Sequence, residues 1–258
     1  MSDTRPSPRL AATVLLMRDR PAGLEVFMVE RHHQIDFATG ALVFPGGKVD
    51  PADAGPSLRA RCGESLARDD DARALRVAAI RETFEECGVL LARARGSAEL
   101  YARALVGADF AALVEREDLL LACDCLVPFA HWITPALVPK RFDTHFFLAA
   151  APEDQLALHD GHESVDSVWI TPQAALGEAE TGRRTIIYPT LMNLVRLAES
   201  RDVADALERA KKLPIVTVQP ALARGADGKN QLVIPADAGY PPLPPALARF
   251  ASVEGGRR

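Results

Sequence analysis

Apolar residues fall along the chain in short blocks whose periodicity changes. Ala11–Met17 and Leu24–Arg31 are β-prone runs on either side of Arg18–Gly23, the pattern of a hairpin. Ala41–Phe44 is a further short run, stopped by Pro45-Gly46-Gly47. From Lys48 to about Asp71 the residues turn polar and read as a surface excursion. A helical period then takes over from about Ala72 to Leu91, with Asp69, Asp70 and Asp71 supplying a cap and favourable charge at its start. Helices are expected over Ser97–Val106 and Asp109–Leu121, the second from an Asp109 N-cap. Strand character returns at Leu126–Thr134, Arg141–Ala149 and Ser167–Thr171. Pro172 then opens a helix, followed by helices over Thr190–Glu199 and Asp202–Lys211. In the tail, Pro214–Val218 and Gln231–Ile234 flank Gly225–Gly228 as the arms of a hairpin, and prolines beyond Ala238 predict an extended, docked or mobile end.

Strands and helices alternate without regular βαβ units. The expected class is therefore α/β in the α+β sense, a mixed β-sheet sandwiched between helices. No G-x-G-x-x-G follows a strand, and no Walker-type loop is present. The expected organisation is a flexible tail over 1–9, a main domain over 10–212 and a C-terminal extension over 213–258. Two insertions interrupt the domain, at about 51–71 and, as a helical cap, at about 95–122.

Composition narrows the function classes. A net charge of −5 with no sizeable basic cluster argues against nucleic acid and anionic membranes as partners. No apolar run reaches transmembrane length, and the first residues carry no signal-peptide pattern, so a cytoplasmic protein is expected. Four scattered cysteines read as reduced, buried thiols.

The stretch Ile80-Arg81-Glu82-Thr83-Phe84-Glu85-Glu86-Cys87 carries the candidate chemistry. On a wheel of about 100° per residue, Val77, Ile80, Phe84, Cys87 and Leu91 share an arc of roughly 80°. Glu82, Glu85 and Glu86 share a nearly opposite arc of roughly 100°, with Arg81 between the two sets. One side is expected to anchor in a core and the other to offer three carboxylates together on an exposed face. Like charges so placed favour a hard divalent cation, Mg²⁺ or Mn²⁺. Upstream, the paired glycines of Phe44-Pro45-Gly46-Gly47 permit close backbone approach to a metal or a phosphate.

These residues resemble the Nudix hydrolases, whose signature is G-x5-E-x7-R-E-U-x-E-E-x-G-U, with U aliphatic. Arg81-Glu82-Thr83-Phe84-Glu85-Glu86-Cys87-Gly88-Val89 matches its second half, and Gly47 opens the first. Thr83 replaces an aliphatic residue. The span from Gly47 to Val89 exceeds the signature by about 20 residues, so Gly47-x5 lands on Asp53 where the family has glutamate. The resemblance implies Glu85 and Glu86 as metal ligands, completed by the Gly46 carbonyl. It implies Glu82 as a further ligand or the base for the attacking water, with Arg81 holding its carboxylate. A carboxylate from a later loop is often recruited in this family. Glu163 is the candidate here, ahead of Asp160.

The interrupted box, Phe129-Ala-His-Trp-Ile-Thr-Pro135 and Arg141-Phe-Asp-Thr-His-Phe-Phe147 resemble the branch around mammalian peroxisomal coenzyme A diphosphatase. Arg31, Gly40 and Phe44–Gly47 keep the frame seen in other coenzyme A diphosphatases, while His32 and Asp36 depart from it. The resemblance implies a small nucleoside-diphosphate substrate, coenzyme A or its thioesters first. ADP-ribose or an NADH-type dinucleotide is the alternative, and a silent Nudix-like sensor module is a third reading. Arg31, Gly47 and Arg141 are the candidate substrate contacts. Period-two alternation puts Arg141 on one side with Asp143 and His145, and Phe142, Thr144 and Phe146 on the other. Trp132 and Trp169 are candidates for stacking a base, with core packing the commoner role. A homodimer is left open as the assembly.

Overall fold

In the computed structural model, residues 7–31, 40–63, 69–94, 109–136, 138, 140–159, 164–225 and 228–253 are described. Alternating apolar side chains set the first strand pair. β1 (Arg9–Arg20) and β2 (Gly23–Arg31) pair antiparallel around Pro21-Ala22, with Met17 opposite Val26. Along β1, Ala12, Val14 and Leu16 enter one core and Leu15 and Met17 the other, so both faces of this strand are covered.

Two short strands, β3 (Leu42–Val43) and β4 (Gly46–Lys48), lead to a 3-10 turn over Pro51–Ala54 and α1 (Pro56–Arg59). The long helix is α2 (Asp70–Cys87). After it come β5 (Ala92–Ala94), α3 (Phe110–Arg116), β6 (Leu119–Leu121), β7 (Val127–Ile133), β8 (Phe142–Ala150) and β9 (Ser164–Ile170). Three helices follow, α4 (Pro172–Glu180), α5 (Tyr188–Leu197) and α6 (Val203–Lys212). The chain closes with β10 (Thr217–Val218), β11 (Ala221–Arg224), β12 (Asn230–Val233) and β13 (Ser252–Val253).

The main sheet runs β10-β7-β8-β1-β2-β3, with β4 also on β1 and β9 also on β2. It is mixed: β8 lies parallel to β1 and β10 parallel to β7, while the other pairs are antiparallel. One face packs against α2 and α3 through Val77, Ile80, Phe84, Phe110 and Leu113. The other packs against α4, α5 and α6 through Ala175, Leu191, Leu194 and Ala206. The sheet is thus sandwiched between helices, as the alternation of elements predicts.

Several expectations need correction. The segment after Lys48 is no plain surface excursion, because Asp53 and Leu58 are buried. The helix expected over Asp109–Leu121 does begin at the Asp109 cap but ends at Arg116. Asp118 takes a left-handed φ of 46°, and residues 119–121 then pair with β5 as strand. The tail hairpin forms around Gly225–Gly228, but its first arm is β11. Residues 217–218 extend the main sheet beside β7 instead. Val218, Ala238 and Leu247 are buried in the second core, so the end beyond Ala238 is docked, one of the outcomes its prolines allow. The cysteines are free thiols, but Cys125 is exposed. The helix expected over Ser97–Val106 lies outside the described residues.

Candidate active site

α2 is held at both ends by local chemistry. The Asp69 side chain accepts from the Ala72 N–H at 2.9 Å, and Asp70 and Asp71 sit in the positively poled first turn. Gly88 closes the helix with φ 68°, its N–H donating to Phe84 O at 2.8 Å. Ile80, Phe84 and Cys87 are fully buried, which fixes the rotation of the helix and turns Glu82 and Glu86 toward β4.

β4 pairs with β1 so that Thr13 faces Gly46 and Ala12 faces Gly47. A side chain at Gly46 would place its Cβ 2.4 Å from Ala12 O and 2.6 Å from Thr13 Cα. At Gly47 the same atom would lie 2.4 Å from Glu82 Oε2. The two glycines therefore bring backbone against carboxylates that any larger residue would displace. The Gly46 N–H donates to Glu86 Oε2 at 2.9 Å, and Glu86 is only 8% exposed.

Arg81 spends its fork on three carboxylates. Its Nε and Nη2 donate to the two oxygens of Asp53 at 2.8 and 2.9 Å, and Nη1 donates to Glu82 Oε1 at 2.8 Å and Glu85 Oε2 at 2.9 Å. Nη2 also donates to Lys48 O at 3.0 Å. Burial works against the guanidinium, but hydrogen bonding to Asp53 and the charge of Glu82 override it and hold Arg81 above its ordinary range. Asp53, only 1% exposed, is itself fixed by a capping box: Asp50 N–H donates to Asp53 Oδ2 at 2.8 Å, and Ala52 N–H to Asp50 Oδ1 at 2.8 Å. The aspartate standing where the signature has glutamate is thus the bidentate partner of Arg81.

Arg31, Gly46, Gly47, Glu82 and Glu86 line one cavity of about 850 Å³, together with Lys48 and Lys140. Much of the rest of its lining is apolar and aromatic, from Trp132, Phe142, Phe146 and Tyr188, with Leu222 and Leu232 from the C-terminal hairpin. A family model described as the NUDT19 Nudix domain matches residues 56–197, more than half of the chain.

The chain belongs to the Nudix hydrolases. Putative nudix hydrolase 7 of Caenorhabditis elegans is 30% identical over 182 residues, covering 69% of this chain and 57% of that protein. The human acyl-coenzyme A diphosphatase NUDT19 is 28% identical over 317 residues, covering 93% of this chain and 83% of that protein. A crystal structure of a Nudix hydrolase from Alicyclobacillus acidocaldarius matches with TM-score 0.69 and 30% identity, over 78% of this chain and 96% of that one. These likenesses put this Nudix hydrolase on the branch near NUDT19 and make it an enzyme.

In this Nudix hydrolase the three glutamates do not share one exposed face. Glu82 and Glu86, one turn apart, face the cavity and are largely covered by β4. Glu85 points outward, its side chain 45% exposed, and pairs with Arg81. The wheel gives the direction of a side chain but not what lies over it. Arg31 reaches the cavity, and its buried Nε has no hydrogen-bond partner. Arg141 is not in the lining: its Nε donates to Thr134 O at 3.1 Å, while the opposite strand face, Phe142, Thr144 and Phe146, meets the cavity. Glu163 and Asp160 lie outside the described residues, as do His32 and Asp36.

Trp132 both packs and lines. It is 3% exposed, and its Nε1–H donates to Tyr240 Oη at 2.7 Å, whose hydroxyl donates to Asn193 Oδ1 at 2.7 Å. Burial pushes the Tyr240 phenol up to about 12, so it stays a neutral donor. Trp169 is away from the lining, edge-on to Phe27 with the Arg18 guanidinium 4.1 Å over its ring. Lys48, Lys140, Tyr188, Leu222 and Leu232 were not marked as site residues by sequence reasoning. Lys140 had one signal, its place beside Arg141 at the start of a strand.

Proposed function

We propose that this Nudix hydrolase cleaves the diphosphate linkage of coenzyme A or acyl-coenzyme A, giving 3′,5′-ADP and (acyl-)4′-phosphopantetheine. One observation carries the reading: a single cavity joins a charged floor to an apolar, aromatic wall. A substrate with a polyanionic middle and a long, weakly polar arm matches that division. The relatives named acyl-coenzyme A diphosphatase support it.

Family resemblance calls for a divalent ion, and the donors are suited to it. Glu82 and Glu86 converge on one cavity as hard oxygen ligands, with Glu85 a helical turn below Arg81 and the Gly46 backbone beside them. In this reading these residues hold Mg²⁺ or Mn²⁺. Held there, a divalent ion would supply charge neutralisation at the diphosphate and a lowered pKa for the water that is deprotonated to the attacking hydroxide. Arg81, clamped by Asp53, fixes the Glu82 carboxylate either as a ligand or as the base that accepts the water's proton. Arg31, with a donor awaiting a partner, binds a phosphate oxygen, and Gly47 lets the substrate approach the backbone. The C-terminal extension belongs to the catalytic unit, since Leu222 and Leu232 complete its wall.

The test is a panel of coenzyme A, its 3′-dephospho form, acyl-coenzyme A, ADP-ribose and NADH, with Mg²⁺ and with Mn²⁺, scored by product identity. Release of 3′,5′-ADP is expected, with the acylated substrates at least as good as free coenzyme A. ADP-ribose outperforming both moves the assignment to a dinucleotide-type substrate, with Trp132 and Tyr188 as base-stacking walls.

A further inference from the structure

β7 and β8 present two faces, and Trp132, Phe142, Thr144 and Phe146 on one of them line the cavity. The other carries His131, Asp143 and His145. His131 stands directly opposite His145 in the β7–β8 register, and Asp143 lies two residues back on the same strand face. A pair at i and i+2 on one strand, with a third residue across from it, gathers three side chains on one sheet face. Here their ligand atoms all lie within 4.8 Å of one another. His131 Nε2 is 2.5 Å from Asp143 Oδ1, and His145 Nε2 is 3.7 Å from the same oxygen. The two imidazoles stack with centroids 4.0 Å apart. All three residues are half-buried.

We propose that His131, Asp143 and His145 form a second metal site, of transition-metal character, that takes Zn²⁺. Two imidazoles and one carboxylate, with a position left for water, are a zinc donor set. The all-oxygen site of Glu82 and Glu86 suits Mg²⁺ or Mn²⁺, so chemistry sorts the two ions between the two faces. His131 Nδ1 is 2.8 Å from Thr217 Oγ1 on β10. Without an ion, Nε2–H donates to Asp143 Oδ1; on metal binding the ring proton would move to Nδ1 and donate to the Thr217 hydroxyl, freeing the Nε2 lone pair for the ion, the orienting contact that metal-bound imidazoles need.

The rearrangement required is small. Tetrahedral ligands at about 2.0 Å from zinc lie about 3.3 Å from one another. The two separations from Asp143 Oδ1, 2.5 and 3.7 Å, bracket that value. The stacked rings must tilt so that their lone pairs converge, and half-buried side chains have room to do so. Arg76 on α2 exerts a positive potential at His145 and opposes the ion. The bound ion fastens β7 to β8 and, through Thr217, to β10 at the sheet edge. Those strands back the cavity wall, but the inference stands independently of the diphosphatase reading.

The test uses the full chain with millimolar Mg²⁺ to saturate the carboxylate site. Zn²⁺ is titrated calorimetrically and against a chromophoric chelator, and melting temperature is read with and without it. One equivalent of Zn²⁺ and a raised melting temperature are expected, because an ion bound to the native state stabilises it. His131→Ala and His145→Ala should each weaken binding at least tenfold and abolish the shift. Asp143→Asn, which keeps size and hydrogen bonding, should weaken it while leaving the zinc-free melt unchanged. Glu86→Gln should retain both. Unchanged zinc affinity in the histidine variants, loss of the shift in Glu86→Gln, or no binding to the wild-type chain each overturns the proposal.

Discussion

The floor and the wall of the cavity are made in different ways. The floor comes from two short stretches, residues 44–48 and 81–86, in which glycines and carboxylates meet at fixed helical spacing. The wall draws on β7, β8, the start of α5 and the hairpin β11–β12, segments separated by most of the second half of the chain. Floor residues are held by charge-assisted hydrogen bonds, five of them from Arg81. Wall residues are held by apolar packing and one buried chain of hydrogen bonds, Trp132 to Tyr240 to Asn193. Floor chemistry should therefore set turnover, and wall chemistry affinity and stability.

The most severe change expected removes the anchor under the floor. Phe84 is fully buried and packs 6.1 Å, centroid to centroid, from Phe110. Phe84→Ala should cost about 3–5 kcal/mol in a denaturant melt. An unchanged midpoint would mean that α2 does not bury this face.

Glu86→Gln attacks the floor without its anchor. The new amide oxygen can still accept from the Gly46 N–H, so the fold should survive. Turnover should fall by roughly 10²- to 10³-fold, the size of a lost electrostatic catalytic interaction. Steady-state kinetics at saturating Mg²⁺ decide this, and a change in KM alone would refute the floor's role in the chemical step.

Tyr240→Phe probes the wall and is the mildest. It strands the Trp132 Nε1–H and the Asn193 oxygen, at a cost of about 1–3 kcal/mol. A thermal melt should show that loss with kcat unchanged. If kcat fell as far as in Glu86→Gln, the division between floor and wall would not hold.

Legibility follows the same division. The Asp69 cap and the buried stripe of α2 are set by neighbours within a turn or two, so periodicity predicts them, whereas the helix expected to run to Leu91 stops at the left-handed Gly88. The end of α3 is not legible, because apolar residues 119–121 continue a helical pattern that Asp118 breaks with its left-handed φ. Arg141 was expected at the substrate because its strand face was known but not which face the cavity takes. Lys140 carried no signal beyond its place beside Arg141, and the paired hydrophobes of the C-terminal hairpin gave no pattern distinguishable from ordinary core.

By itself the sequence determined the hairpin, the long helix α2, the two glycines that must lack side chains and the family to which they belong. These depend on spacing, which a chain carries in one dimension. Only the tertiary structure decided that Glu86 is buried and Glu85 outward, because a strand forty residues earlier lies over one and not the other. Only it made Asp53 the partner of Arg81 across the interrupted box, and only it brought Leu222 and Leu232 of the tail hairpin into the cavity lining and Tyr240 against Trp132. Burial and pairing across long separations arise from the register of β4 on β1 and of β7 beside β8 and β10. That register is fixed when both faces of the sheet are covered at once, which no local stretch can specify.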